Sequence, residues 1–247
     1  EDVLKDASCQ LSSNEGYLNI TENGNLPVKY DPNDKQIFWK EFWNSSQDPS
    51  KTMPFLVVNG GPGSSFDYLL MLRYLGCKTL SYRTSYRIIF YDQLGSGRSK
   101  VDSHGKSQLD VVLDSNYLVR ELQAMVQGVV LMQNNGPFHL FGEGFGGMIC
   151  LKYATNYPNF TQSKMASMIL ASPSGPNMNK TVEGIRANMK ETMTIGNYET
   201  LIFKNETDTN WKEALEEYNY KMILRTKAAP DCLLCTLKMR NANIQRA

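Results

Sequence analysis

Three glycine-rich turns, each placed straight after a short apolar run, constrain this chain more than any other feature. The runs are "PFLVVNG" from Pro54, "YRIIFYD" from Tyr86 and "PFHLFG" from Pro137. The turns are Asn59-Gly60-Gly61-Pro62-Gly63-Ser64-Ser65, Tyr91-Asp92-Gln93-Leu94-Gly95-Ser96-Gly97-Arg98-Ser99 and Gly142-Glu143-Gly144-Phe145-Gly146-Gly147. Runs this short, apolar and bounded by Gly, Pro or Ser read as strands of a buried parallel sheet. "ASMILAS" from Ala166 reads the same way, and "GYLNIT" from Gly16 and "QIFWKEFW" from Gln36 read as further strands. Helical patterns lie between them. In "SNYLVRELQAMVQGVVLMQNNG", Leu118, Leu122, Met125, Val126 and Val129 recur at three- and four-residue spacing, and Gly136 follows as a stop signal. Strands alternating with helices predict an α/β fold with crossover connections. The three turns then fall at the C-terminal ends of strands, where ligands gather in open α/β sheets.

After about Pro176 the character changes. Residues 177 to 247 are polar and helix-rich, as in "NWKEALEEYNYKMILR", with no further apolar strand. The expected organisation is a sheet-bearing core over residues 1–175 and an incomplete helical cap over 176–247. Formal net charge is +1, which gives no footing for nucleic-acid binding. The longest apolar runs fall well short of the roughly 20 residues of a transmembrane helix.

Five cysteines stand at Cys9, Cys77, Cys150, Cys232 and Cys235. Cys232-x-x-Cys235 has no second pair and no nearby histidine, so it reads as buried or disulfide-bonded sulfur; no metal or cofactor is expected. Five N-x-S/T sequons, at Asn19, Asn44, Asn159, Asn179 and Asn205, exceed what the asparagine content gives by chance. They favour the secretory pathway, an extracellular or lysosomal setting, with a cytoplasmic one as the alternative. The first residue is Glu1, with no initiator Met and no apolar signal segment, which fits a processed mature chain or a partial one equally.

The three turns in this order resemble the proline iminopeptidase branch of the α/β-hydrolases, which includes the tricorn-interacting aminopeptidases. Its pattern runs H-G-G-P-G, then D-Q-x-G-x-G-x-S, then G-x-S-x-G-G or close variants. Serine carboxypeptidases share an N-G-G-P-G turn but match the other motifs less well. The resemblance covers about residues 16 to 230 and implies an α/β-hydrolase fold, with a mostly parallel sheet and a helical cap. It also implies that Gly60 or Gly61 and the N–H of Phe145 form an oxyanion hole, with Asp92, Gln93 and Arg98 bracing the loops. Asn59 replaces the usual histidine, a change that backbone donors tolerate.

By the same resemblance Gly144 stands where the nucleophilic serine would be. Acyl transfer needs an attacking atom, a base and an orienting carboxylate. Glycine supplies no attacking atom. Glu143 precedes the turn's tip and is expected to point elsewhere, and Ser64 and Ser65 have no base in prospect. The two histidines, His104 and His139, both precede the third turn, whereas the family's Asp and His follow the cap. His139 reads as a core residue and His104 as a solvated loop residue. The family holds a substrate's amino group with cap carboxylates, for which Glu213, Glu216 and Glu217 are the candidates.

The expectation is thus an inactive relative kept as a binding or structural component, a peptide ligand being compatible with it. The alternative is the N-terminal part of a serine aminopeptidase whose nucleophile was substituted and whose Asp and His lie on a segment not in this chain. Either way the C-terminal strands of the fold are absent. "SMILAS" then becomes an exposed apolar edge, and a second polypeptide segment or partner is expected to cover Met168–Ser172.

Overall fold

The computed structural model describes residues 9–21, 24–27, 35–77, 85–99, 114–175, 178–204, 207–218 and 220–221. The chain divides into two compact units between Pro173 and Ser174.

The first unit is built on one six-stranded sheet. Its strands are β1 (Leu11–Ile20), β2 (Lys35–Asn44), β3 (Met53–Val58), β4 (Tyr86–Tyr91), β5 (Phe138–Glu143) and β6 (Met165–Ala171). Their spatial order is β1-β2-β4-β3-β5-β6. β4, β3, β5 and β6 run parallel, while β1 and β2 join antiparallel at one side. All six apolar runs are strands, and the sheet is mostly parallel, as expected. β1 starts at Leu11 rather than near Gly16, because its whole length pairs with β2 and Glu15 meets Lys40 across the ladder. That cross-strand partnership holds the polar stretch Ser12–Glu15 extended where alternation alone does not.

Alternate residues of a strand face opposite sides of the sheet. On one side Phe38, Phe42, Phe55, Val57, Ile88 and Phe90 form an aromatic core with Phe66. The 3-10 helix Phe66–Gly76 covers it with Leu69, Leu70, Leu72 and Leu75. On the other side lie α1 (Ser115–Met125) and α2 (Gly144–Asn156), which bury Tyr117, Leu118, Leu122, Met125, Met148 and Ile149. Full burial of each such side chain stabilises the fold by roughly 1.5–3 kcal/mol. Asp114 caps α1 by accepting the Asn116 N–H. The helical path continues through a π turn, Val126–Val130, to Gln133, so the periodic segment read from the sequence is one element with an altered middle. α3 (Pro158–Lys164) leads into β6.

Two cross-links tie distant segments together. Cys9 and Cys77 form a disulfide between the start of β1 and the end of the 3-10 helix. Arg87 on β4 pairs with Glu41 on β2 at 2.9 Å, and both side chains are fully buried. The same guanidinium donates to the Val130 carbonyl at 2.6 Å, at the end of the π turn.

The second unit holds α4 (Met178–Thr192), α5 (Ile195–Phe203) and α6 (Trp211–Tyr218). Glu217 of α6 joins that helix to α5. It accepts the Thr194 N–H at the start of α5, the Thr194 hydroxyl and the Asn197 amide, and it pairs with Lys221 at 2.7 Å.

Candidate functional site

The three glycine-rich turns follow β3, β4 and β5, adjacent strands of the sheet, and so meet at one end of it. The second turn braces the first. Asp92, fully buried at the end of β4, accepts the N–H of Phe66 at 3.0 Å and that of Arg98 at 2.9 Å. The Arg98 guanidinium bonds Asp92 at 3.0 Å and both Asp67 oxygens at 2.8 and 2.9 Å. It also lies over the rings of Phe38 and Phe66, at 4.9 and 5.1 Å from their centroids. Burial pushes the Asp92 carboxyl up from its ordinary value, against the pull of the Arg98 and Phe66 N–H groups and the Arg98 charge. Gln93 donates its side-chain amide to the Asn59 carbonyl at 3.1 Å. The Asn59 side chain in turn closes its own turn by donating to the Ser64 carbonyl. Gly61 precedes Pro62 through a cis peptide bond.

The third turn is sharp. β5 ends on Glu143 in extended geometry, and α2 begins at once with Gly144 at φ +53°. Only glycine adopts that region without strain. Gly146 lets the helix start press against the first turn, since a Cβ there would overlap the carbonyl oxygens of Val58 and Asn59. At Gly144 the opposite holds. Among the described residues beyond its own helix start, a Cβ there would meet only Gly60, at 3.6 Å from its Cα and 3.9 Å from its oxygen. Phe145, the next residue, is buried.

Glu143 does not point away from this junction. Its Oε2 accepts the Tyr68 hydroxyl, and that hydroxyl oxygen accepts the Gly60 N–H at 2.6 Å. A Cβ on Gly60 would overlap the Glu143 carboxylate. The reason is register: Gly142 sits opposite Val58 in the parallel β3–β5 pair, so the residue after it lies beside the first turn. Burial and the neighbouring Glu143 push the Tyr68 phenol well above its ordinary value, so it stays a donor. Tyr68 carries no motif and lies within a run of leucines, which leaves no sequence signal for it. Glu121 was missed as well, but with a signal. It lies three residues after Leu118 and four before Met125, on the apolar stripe of α1. It is fully buried, accepts the Leu94 N–H of the second turn at 3.2 Å, and is pushed by burial up to about 8.

The remaining candidates lie apart. His139 stands near the start of β5, at the far end of the strand from Gly144, against Phe55 and Tyr86. Its Nδ1 is 2.7 Å from the Ser167 hydroxyl, and partial burial lowers its pKa. Glu213, Glu216 and Glu217 lie on α6 of the second unit. Glu213 and Glu216 are exposed. Burial opposes ionisation of Glu217, yet hydrogen bonds from Lys221, Asn197 and Thr194 hold it down to about 2. Asn159 is exposed, Asn19 half-buried and Asn44 buried. His104, Cys232, Cys235, Asn205 and the side chain of Asn179 lie outside the described residues. Among the described residues no group of three His, Cys, Asp or Glu could hold a metal ion, and no helix is long and apolar enough to cross a membrane.

Three adjacent parallel strands, each delivering a glycine-rich turn to one end of the sheet, define a class of proteins. Residues 53–195 match the family model of the alpha/beta hydrolase fold. The chain belongs to that family. It is also similar to curated proline iminopeptidases. That of Lactobacillus delbrueckii subsp. bulgaricus is 28% identical over 173 residues, or 67% of this chain and 55% of that protein. That of Lactobacillus crispatus is 30% identical over 190 residues, or 75% and 59%. The chain thus spans little more than half the length of these relatives. Among solved structures, an epoxide hydrolase from Vigna radiata superposes with a TM-score of 0.52 at 15% identity, over 94% of this chain and 71% of that one. At that identity the likeness is one of fold.

Proposed function

We propose that this chain is the core and cap of a proline-iminopeptidase-like α/β-hydrolase that binds a peptide ligand without hydrolysing it. One observation carries this reading. The junction of β5 and α2 has the backbone of a nucleophile elbow, and the residue at its tip, Gly144, has no side chain. An elbow serine sits in a strained backbone region at a cost of about 1–3 kcal/mol, tolerated because the hydroxyl is needed. Glycine removes both the strain and the attacking atom. The Gly60 N–H is already given to Tyr68, so Gly61 and Phe145 are the backbone donors assigned to the oxyanion position, with Asp92, Gln93 and Arg98 keeping the turns in place. His139 stands at the wrong end of β5 to act as a base. The test is hydrolysis of proline p-nitroanilide by the protein as its gene encodes it. No release above the buffer rate is expected, and turnover that a serine-hydrolase inhibitor blocks overturns the reading.

A second reading is favoured by the room around Gly144, where, among the described residues outside its own helix start, a Cβ makes only ordinary contacts, with Gly60. In it the chain is the N-terminal part of a serine aminopeptidase, with Gly144 substituted for serine and the Asp and His on a further segment. Sequencing the transcript across codon 144 and beyond residue 247 separates the two: a glycine codon removes the second reading, and a serine codon followed by Asp and His motifs removes the first.

In both readings another polypeptide segment lies along β6. Among the described residues that strand pairs only with β5, and Ile169 on it is 44% exposed. The Cys9–Cys77 disulfide and the exposed sequon at Asn159 support passage through the secretory pathway, with glycan on Asn159 and not on buried Asn44.

A further inference from the structure

The family's own amine site uses cap carboxylates, and one candidate of that kind here, Glu217, is already engaged by four internal donors. A different carboxylate stands at the third turn. Glu143 is half-buried, and its Oε2 is fixed by Tyr68, which is itself fixed by the Gly60 N–H. Among the described residues Oε1 accepts no hydrogen bond. Beside it, the space a side chain on Gly144 would fill is bordered by the Gly60 carbonyl oxygen. Beside the elbow tip the Glu143 carboxylate and the Gly60 carbonyl oxygen are thus both acceptors, and the Gly60 N–H between them is occupied by Tyr68.

We infer that Glu143, held by Tyr68, is the anchor for the ammonium group of the ligand, beside the elbow tip Gly144. An ammonium brings three donors and a positive charge, which match a carboxylate oxygen and a backbone carbonyl. A carboxylate or oxyanion would meet Glu143 with like charge. The ligand class is a peptide or amino-acid amide with a free N-terminal amine, seated amine-first into the elbow. This inference rests on the peptide-binding reading and replaces the cap as the amine's site.

The probes are L-prolinamide, N-acetyl-L-prolinamide and N-acetyl-L-proline, titrated into the full chain by calorimetry. Prolinamide is expected to bind saturably and the two acetylated compounds not to bind. Glu143→Gln is expected to weaken prolinamide by about 10- to 100-fold, the size of a hydrogen bond to a charged group. Tyr68→Phe is expected to weaken it less, because the carboxylate remains but is no longer held. Thermal melts of both variants keep loss of binding separate from loss of fold. Absent prolinamide binding, unchanged affinity in folded Glu143→Gln, or preference for the acetylated carboxylate each overturns the inference. Proline p-nitroanilide turnover on the same sample would defeat the non-catalytic reading and leave the amine assignment standing.

Discussion

Gly144 shows how one backbone angle limits what a position accepts. At φ +53° any residue with a Cβ is strained, but among the described residues outside its own helix start that Cβ meets only Gly60, at ordinary contact distance. Gly144→Ala is therefore expected to lower stability by about 1–3 kcal/mol through backbone strain alone. Urea denaturation checks this, and a loss well above that range would mean the space is not open. Gly146 is the contrast. Its Cβ would overlap the carbonyl oxygens of Val58 and Asn59 at the end of β3, which are main-chain atoms and cannot step aside, so the same substitution there costs more. Both glycines were legible as turn residues. Which of them makes room for a side chain and which forbids one was not, because that depends on how closely α2 approaches β3.

Between elements, two buried ionisable groups carry opposite lessons. Arg87 and Glu41 join β4 to β2, and the Arg87 guanidinium also takes the Val130 carbonyl, so the pair holds the end of the π turn to the sheet. Removing one partner leaves a buried charge uncompensated. Glu41→Ala is expected to cost about 3–5 kcal/mol, read from the denaturation midpoint. Among the described residues Glu121 on α1 has no cation partner, only the Leu94 N–H, and it is pushed up by burial to about 8 from an ordinary value of 4.5. The folded state therefore keeps a proton that the unfolded state gives up. Stability from this group is fully present below its ordinary value and is lost as pH rises through about 8. Tyr91, which faces it from β4, and Cys150, which interacts with Tyr91 from α2, are both pushed up by burial and add no charge in that window. Denaturation midpoints from pH 5 to 8.5 are expected to fall, and Glu121→Gln to flatten the profile; an unchanged slope in the variant would assign it elsewhere.

At the scale of the molecule, the sheet has two different sides. β1 shields β2 with a full-length antiparallel ladder and is tied down by the Cys9–Cys77 disulfide. β6 has a neighbour on one side only among the described residues, and it exposes Ile169. An apolar edge strand is a template for pairing with another chain. The isolated chain is expected to self-associate as its concentration rises, and Ile169→Lys to suppress this. Light scattering across a dilution series decides it, and equal association by the variant would move the contact away from β6.

Local chemistry determined much of this protein from the sequence alone. Short apolar runs closed by Gly and Pro had to become buried strands, and glycines at fixed offsets had to become tight turns. The order of the three turns pointed to the α/β-hydrolase fold before any geometry was known. Tertiary structure decided what side chains do across those turns. Tyr68 and Glu143 are 75 residues apart, and Arg98 and Asp67 are 31 apart. Each pair meets because strand register and the β4-β3-β5 order bring their turns together, and neither register nor order is written in the local pattern. A glycine at the tip was visible in the sequence; a carboxylate turned across to meet it was not, because where a side chain reaches depends on the neighbouring strand.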